Sequence, residues 1–126
     1  MIFQHTWREI MAGEKTVTRR PIKSTETAVF APEGNIDAVL VNGRRKWVVG
    51  KCYGIQPGRG QKAKGLIKIT RIDHQPLVDI TEAGALAEGF SDRDRFLDKW
   101  REIHGSLDHK VWVIEFVLAS PPFVPS

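Results

Sequence analysis

The stretch Gly-Glu-Lys-Thr-Val-Thr-Arg-Arg, residues 13 to 20, places an amine, hydroxyls and two guanidinium groups close together. With Glu88 far along the chain, Lys15, Thr18 and Arg20 form a set able to do chemistry. A threonine hydroxyl becomes a nucleophile only when a base takes its proton, and a lysine whose pKa is lowered by burial or by nearby cations can do so. A carboxylic acid across the substrate can then protonate a leaving nitrogen. The reaction that fits is hydrolysis of an amide. The spacing sets a condition, because side chains three residues apart on a continuous strand point to opposite faces. Lys15 and Thr18 converge only if Lys15 still lies in the turn after Gly13. An edge strand carrying good strand formers accounts for the same residues without a site.

Other catalytic signatures are missing: there is no GxxxxGK[ST], no GxGxxG opening a helix, no HExxH and no GxSxG. Pro57-Gly58-Arg59-Gly60 fits a plain β-turn and also a turn that approaches phosphate through its backbone N–H groups. The histidines, His5, His74, His104 and His109, are scattered, so no metal site is expected. The single cysteine, Cys52, forms no internal disulfide and reads as a buried structural thiol in a reducing compartment.

Charge is more informative. The net charge of +4 hides a stretch, Ala38 to Ile72, with no Asp or Glu, in which Arg44, Arg45, Lys46, Lys51, Arg59 and further lysines fall. Such asymmetry favours a polyanionic partner, nucleic acid above all, although solvent-facing positions of several strands explain it too.

These residues need elements to hold them. A chain of 126 residues is one compact domain, long enough to bury a core without disulfide or metal. Phe3, Trp7, Ile10 and Met11 share one helix face, and Gly13 sits where a left-handed cap ends the helix. Thr16 to Arg19 follows as a strand, limited by Pro21. From Ile22 to Asp37 the signals are mixed and mostly loop. Ala38–Val41 and Arg44–Val49 flank Asn42-Gly43, the dipeptide that a type I′ hairpin turn favours. Further strands are expected at Cys52–Gln56, Gly65–Ile72 and Val111–Leu118. Thr81 and Ser91 are the expected N-caps of two helices, the second with Phe96, Leu97, Trp100 and Ile103 as its stripe. Short connections predict an α+β domain with a mixed, mainly antiparallel, curled sheet. The expected domain spans 1–118, with the basic hairpin at about 38–49 and a Pro-rich tail at 119–126.

The chain resembles the ASCH domain family, which has a PUA-like fold. The resemblance rests on Trp7-x-x-Ile10-x-Ala12-Gly13-x-Lys15-Thr16-Val17-Thr18-x-Arg20, on Val49-Gly50-Lys51, on Gly65-x-Ile67-x-Ile69 and on Asp79-Ile80-Thr81. It continues through Ala85-x-x-Glu88-Gly89-Phe90, Trp100 and Val111-Trp112-Val113-Ile114-Glu115-Phe116. It implies a β-pseudobarrel flanked by three helices, with a cleft between the first motif and Glu-Gly-Phe. It also implies RNA binding and, for a short bacterial branch, deacylation of acetylcytidine. Carried across, the catalytic residues are Lys15, Thr18 and Glu88. A ribonuclease activity is attached to the fold as well, with no clear signature here. Arg19 departs from the aliphatic residue expected after Thr18, and the hairpin section is longer and more basic than in that branch.

The expectation is therefore a domain that binds RNA or a modified nucleotide in a basic cleft. Arg19, Arg20, Arg44, Arg45, Lys51 and Arg59 are the candidate phosphate contacts, and Trp47 and Tyr53 are candidates for base stacking or for the core. The alternative is an amidohydrolase on acylated cytidine, with Lys15 as base, Thr18 as nucleophile and Glu88 as acid. A third reading has the basic hairpin docking a protein partner. No cofactor, no metal and no membrane partner is expected. Without a signal-like N-terminus or a spanning apolar run, the expected location is cytoplasmic.

Overall fold

The computed structural model describes residues 1–120; positions 121–126 of the Pro-rich tail lie outside the described residues. Helix α1 (Trp7–Met11) leads into strand β1 (Val17–Pro21), followed by β2 (Glu26–Phe30), β3 (Ile36–Val41), β4 (Arg44–Val48) and β5 (Cys52–Gly54). The long strand β6 (Leu66–Pro76) precedes a 3-10 turn (Leu77–Asp79), helices α2 (Glu82–Ala87) and α3 (Arg93–His104), and strand β7 (Lys110–Ser120). Strands run in the order β1-β7-β6-β3-β2, with β4 on β3 and β5 on β6, and every strand pairing is antiparallel.

The sheet is apolar on both faces, for different partners. On β7, Trp112, Ile114 and Phe116 point inward, while Val111 and Val113 meet the helices. On β6, Ile67, Ile69 and Ile72 are all buried although the last two are three apart. The register passes from Ile69↔Phe116 to Arg71↔Glu115, so Thr70 is an extra residue that resets the alternation. Leu77, Ile80, Ala85, Phe96, Leu97 and Trp100 pack α2 and α3 onto the outer face. Phe3 and Ile10 bring α1 against Ile55, Ile67 and Phe116 at the other end. Each fully buried side chain of this kind contributes roughly 1.5–3 kcal/mol.

Local chemistry sets most boundaries. Thr81 accepts the Gly84 N–H at 2.9 Å and caps α2. Asp92, not Ser91, caps α3, accepting the Arg95 N–H at 2.8 Å. Asn42 (φ 51°) and Gly43 (φ 80°) supply the two left-handed residues of the β3–β4 turn. Strand β2 lies in the stretch that read as loop. Its inward residue is the buried Glu26, and a carboxylate at a core position hides the apolar alternation.

Cys52 corrects a second expectation: it is exposed, not buried. It pairs with the exposed Lys68 and shares its outward face, while Tyr53 turns inward. Strand β7 runs through Ser120, past the expected end at Leu118. Among the described residues no helix is long and apolar enough to cross a membrane.

Candidate functional site

The chain between α1 and β1 decides whether Lys15 can join Thr18. Helix α1 ends at Met11, and the N–H groups of Glu14 and Lys15 both turn back to the Glu9 carbonyl, at 2.8 and 3.1 Å. Strand β1 begins only at Val17, so Lys15 belongs to the turn and the alternation rule does not apply to it. Thr16 then anchors the strand: its N–H donates to the Ala87 carbonyl at 2.8 Å, and its carbonyl accepts the Phe116 N–H at 2.9 Å. That peptide fastens the C-terminus of α2, and with it Glu88, against the start of β1.

Lys15, Thr18 and Glu88 are 4, 4 and 2% exposed. They line one cavity of about 680 Å³, with Arg19 and Arg20. The Lys15 ammonium donates to Glu88 Oε1 at 2.5 Å and to the Glu88 carbonyl at 3.2 Å. Arg19 donates through Nη1 to Glu88 Oε2 at 3.1 Å and through Nε to Gln75 Oε1 at 3.1 Å. The carboxylate is thus held on both oxygens. Thr18 pairs with Ile114 and faces the interior, and among the described residues its hydroxyl has no hydrogen-bond partner. Burial pushes the Lys15 ammonium below its ordinary pKa; the Glu88 carboxylate opposes this, and Arg20 and Arg19 add to the lowering.

Arg20 pairs with Trp112, donates to the Ile2 carbonyl at 2.7 Å and lies 4.9 Å from the Phe3 ring centre. Burial also lowers its pKa, against the pull of Glu88, but an arginine stays charged. Phe3, Trp47, Phe90, Phe96 and Trp100 supply apolar wall. His104 stacks on Trp100 at 4.2 Å between ring centres and lies at the same cavity. Tyr53 serves the core, its hydroxyl accepting the Val48 N–H at 2.7 Å.

The remaining candidates lie elsewhere. Arg44, Arg45, Lys51 and Arg59 are exposed and none lines this cavity. The residues that sequence reasoning did not single out are Glu26 and Lys46. Glu26 Oε2 accepts from Lys46 at 2.7 Å, and its Oε1 accepts the Lys23 N–H and the Trp112 indole N–H, each at 2.9 Å. Burial alone raises the Glu26 pKa, but the Lys46 ammonium and the two N–H donors outweigh it and hold the carboxyl below its ordinary value. Lys46 read as one of three surface cations in a row, with no signal to separate it from Arg44 and Arg45.

A second hollow of about 490 Å³ lies beside Asp37, Thr70, Arg71, Asp73 and His74. Those polar residues are all exposed, and no buried charge is gathered there. The larger cavity is where charge, hydroxyl and aromatic wall meet. Among the described residues no cluster of His, Cys, Asp or Glu has the makings of a metal site.

The curled antiparallel sheet with three helices is an α+β domain of PUA-like fold. More narrowly, it is the fold of an ASCH domain. A solved ASCH domain from Lactobacillus crispatus superposes at a TM-score of 0.59 and 18% identity, over 89% of this chain and 69% of that one. A protein of the DUF984 family from Enterococcus faecalis superposes at a TM-score of 0.57 and 15% identity, over 98% of this chain and 76% of that one. The sequence itself matches no family model and no curated protein.

Proposed function

We propose that this domain binds a nucleotide, free or within RNA, with its base in the 680 Å³ cavity. The observation that carries this is the convergence of buried Lys15, Thr18 and Glu88 in a cavity of ligand size with aromatic walls. Nucleobases are flat and rich in donors and acceptors. They suit a site where a hydroxyl, a carboxylate and cations face aromatic rings. The excess of cations over carboxylates at the wall favours an anionic ligand over a neutral one. Titration calorimetry with cytidine and uridine nucleotides tests the reading. Saturable binding that Trp47→Ala and Phe90→Ala weaken is expected, and heat indistinguishable from dilution for every nucleotide rejects it.

One observation favours a second reading, hydrolysis of an acyl amide on the exocyclic nitrogen of cytidine. The Lys15–Glu88 contact holds one proton between two buried groups. Moving it from Nζ to Oε1 leaves a neutral amine and a protonated carboxyl, the base and the acid that the chemistry needs. Burial, which lowers the Lys15 pKa, favours the neutral amine. Thr18 Oγ1 then attacks the acyl carbon and Lys15 takes its proton. The C–N bond breaks as Glu88 protonates the leaving nitrogen, and water releases the acyl group from Thr18. Incubation with N4-acetylcytidine, followed by ultraviolet absorbance, distinguishes binder from enzyme. Turnover lost in Thr18→Val with binding retained supports the mechanism; turnover that survives the substitution rejects it.

A further inference from the structure

Around the cavity stand Lys15, Arg19, Arg20, Lys23, Lys46 and Lys99, whereas among the described residues Glu88 is the one carboxylate of its lining. Glu88 is occupied by Lys15 and Arg19, which leaves the cations at the other end to be accounted for. Their order along the chain is informative. Thr18, Arg20 and Lys23 follow one another from β1 into the loop beyond Pro21, and a strand advances about 3.3 Å per residue. The Thr18 end of the cavity holds the hydroxyl and the buried carboxylate. The Lys23 end is lined by Arg20, Lys23 and Lys46, with the Glu26 carboxylate behind Lys46.

Lys46 reaches that second end through a fault in the hairpin. The β3–β4 register steps from Leu40↔Arg45 to Val39↔Trp47, so Lys46 is the extra residue of a bulge. Bulges re-aim side chains. Arg44 and Arg45 stay exposed to solvent, while Lys46 turns to the buried Glu26 carboxylate and lies 4.3 Å from the Trp47 ring centre. The same carboxylate accepts the Lys23 backbone N–H and the indole N–H of Trp112, the residue paired with Arg20. One buried acid therefore holds Lys46, the Lys23 backbone and the Trp112 indole together. An ammonium has three donors and Glu26 uses one, so Lys46 keeps donors for a ligand. Arg20 has no carboxylate within ion-pair distance among the described residues.

We propose that Lys46, Lys23 and Arg20 form a phosphate subsite at the end of the cavity where β1 runs out, so that the ligand is a phosphorylated nucleoside rather than a nucleoside. This rests on the nucleotide reading of the cavity and goes beyond it by assigning the anion. Glu26 is a positioning residue: it touches no ligand and holds the two lysine-bearing segments in place. The phosphate can be that of a free mononucleotide or a phosphodiester of RNA, since both present the same anionic oxygens to the same donors.

Calorimetry with cytidine, cytidine 5′-monophosphate and ribose 5-phosphate tests the subsite. Wild-type protein is expected to bind the monophosphate about tenfold tighter than cytidine, and to bind ribose 5-phosphate measurably. Lys23→Ala, an exposed change that leaves the fold alone, narrows that preference. The pair Lys46→Met with Glu26→Gln removes both charges of the ion pair together and abolishes the preference. Equal affinity of the wild type for cytidine and its monophosphate overturns the subsite while leaving the base reading intact. So does a preference that survives both variants. If ribose 5-phosphate binds in a Lys46-dependent way and cytidine does not bind, the subsite stands and the base reading falls. If none of the probes binds, both fall. A cytidylyl dinucleotide identifies the source: affinity matching the monophosphate points to an RNA phosphodiester, and weaker affinity points to a terminal phosphate.

Discussion

Glu88 is the residue on which the site turns, because it neutralises two buried cations at once. Removing one partner of a buried ion pair strands the other charge, which costs about 3–5 kcal/mol. Glu88→Gln is accordingly expected to destabilise the protein by that amount in urea, and Lys15→Met with Glu88→Gln to recover a part of it. Thr18→Val, which removes a hydroxyl with no protein partner, is expected to cost no more than about 1 kcal/mol. Glu26 gives a pH signature. Its folded pKa lies below its unfolded value, near 4.5, so its stabilising contribution is complete above that pH. The contribution is lost as pH falls through the folded value. Thermal melts of wild type and Glu26→Gln from neutral pH down to acid are expected to differ most at neutrality and to converge below the folded value.

At the scale of elements, the site is a meeting of ends: the exit of α1, the start of β1 and the C-terminus of α2. Gly89 closes that meeting. It has φ +93°, and a Cβ there lies 3.3 Å from Glu9 Cβ and 3.4 Å from Lys15 Cβ. Gly105, which caps α3 at φ +80°, has nothing within 4 Å of its Cβ position. Both glycine-to-alanine changes are expected to destabilise by about 1 kcal/mol through backbone strain. Only Gly89→Ala presses on the lysine, so it alone is expected to weaken nucleotide affinity. How far these elements were legible follows from where polar groups sit. The Asn42-Gly43 hairpin, the Thr81 cap and the alternation of Trp112, Ile114 and Phe116 are local signals and are present in the structure. Strand β2 was not legible, because the buried Glu26 takes an inward position that a distant tryptophan and lysine help to satisfy. The bulges at Thr70 and Lys46 were not legible either, since an extra residue in a ladder leaves no mark in composition.

At the scale of the whole molecule, the positive charge that stood out in the sequence divides into two populations. Lys46 faces the cavity, and Arg44, Arg45, Lys51 and Arg59 stand outside it. Reversing the charge of Arg44 and Arg45 together is therefore expected to leave mononucleotide affinity unchanged. The same change is expected to flatten the salt dependence of RNA retention, because each lost phosphate contact removes roughly 0.7–0.9 from the log–log slope. RNA retention unaffected by the reversal shifts the outer cations toward a protein partner.

The Thr16 peptide joins these scales. Its N–H is held by α2 and its carbonyl by β7. Any partial opening that lifts the α2–α3 layer from the sheet breaks the first of these bonds and lets water reach the Lys15–Glu88 pair. Deuterium uptake at this one amide thus clocks the hydration of the whole site, and a ligand bridging β1 and Glu88 slows that clock by the factor by which it closes the layer.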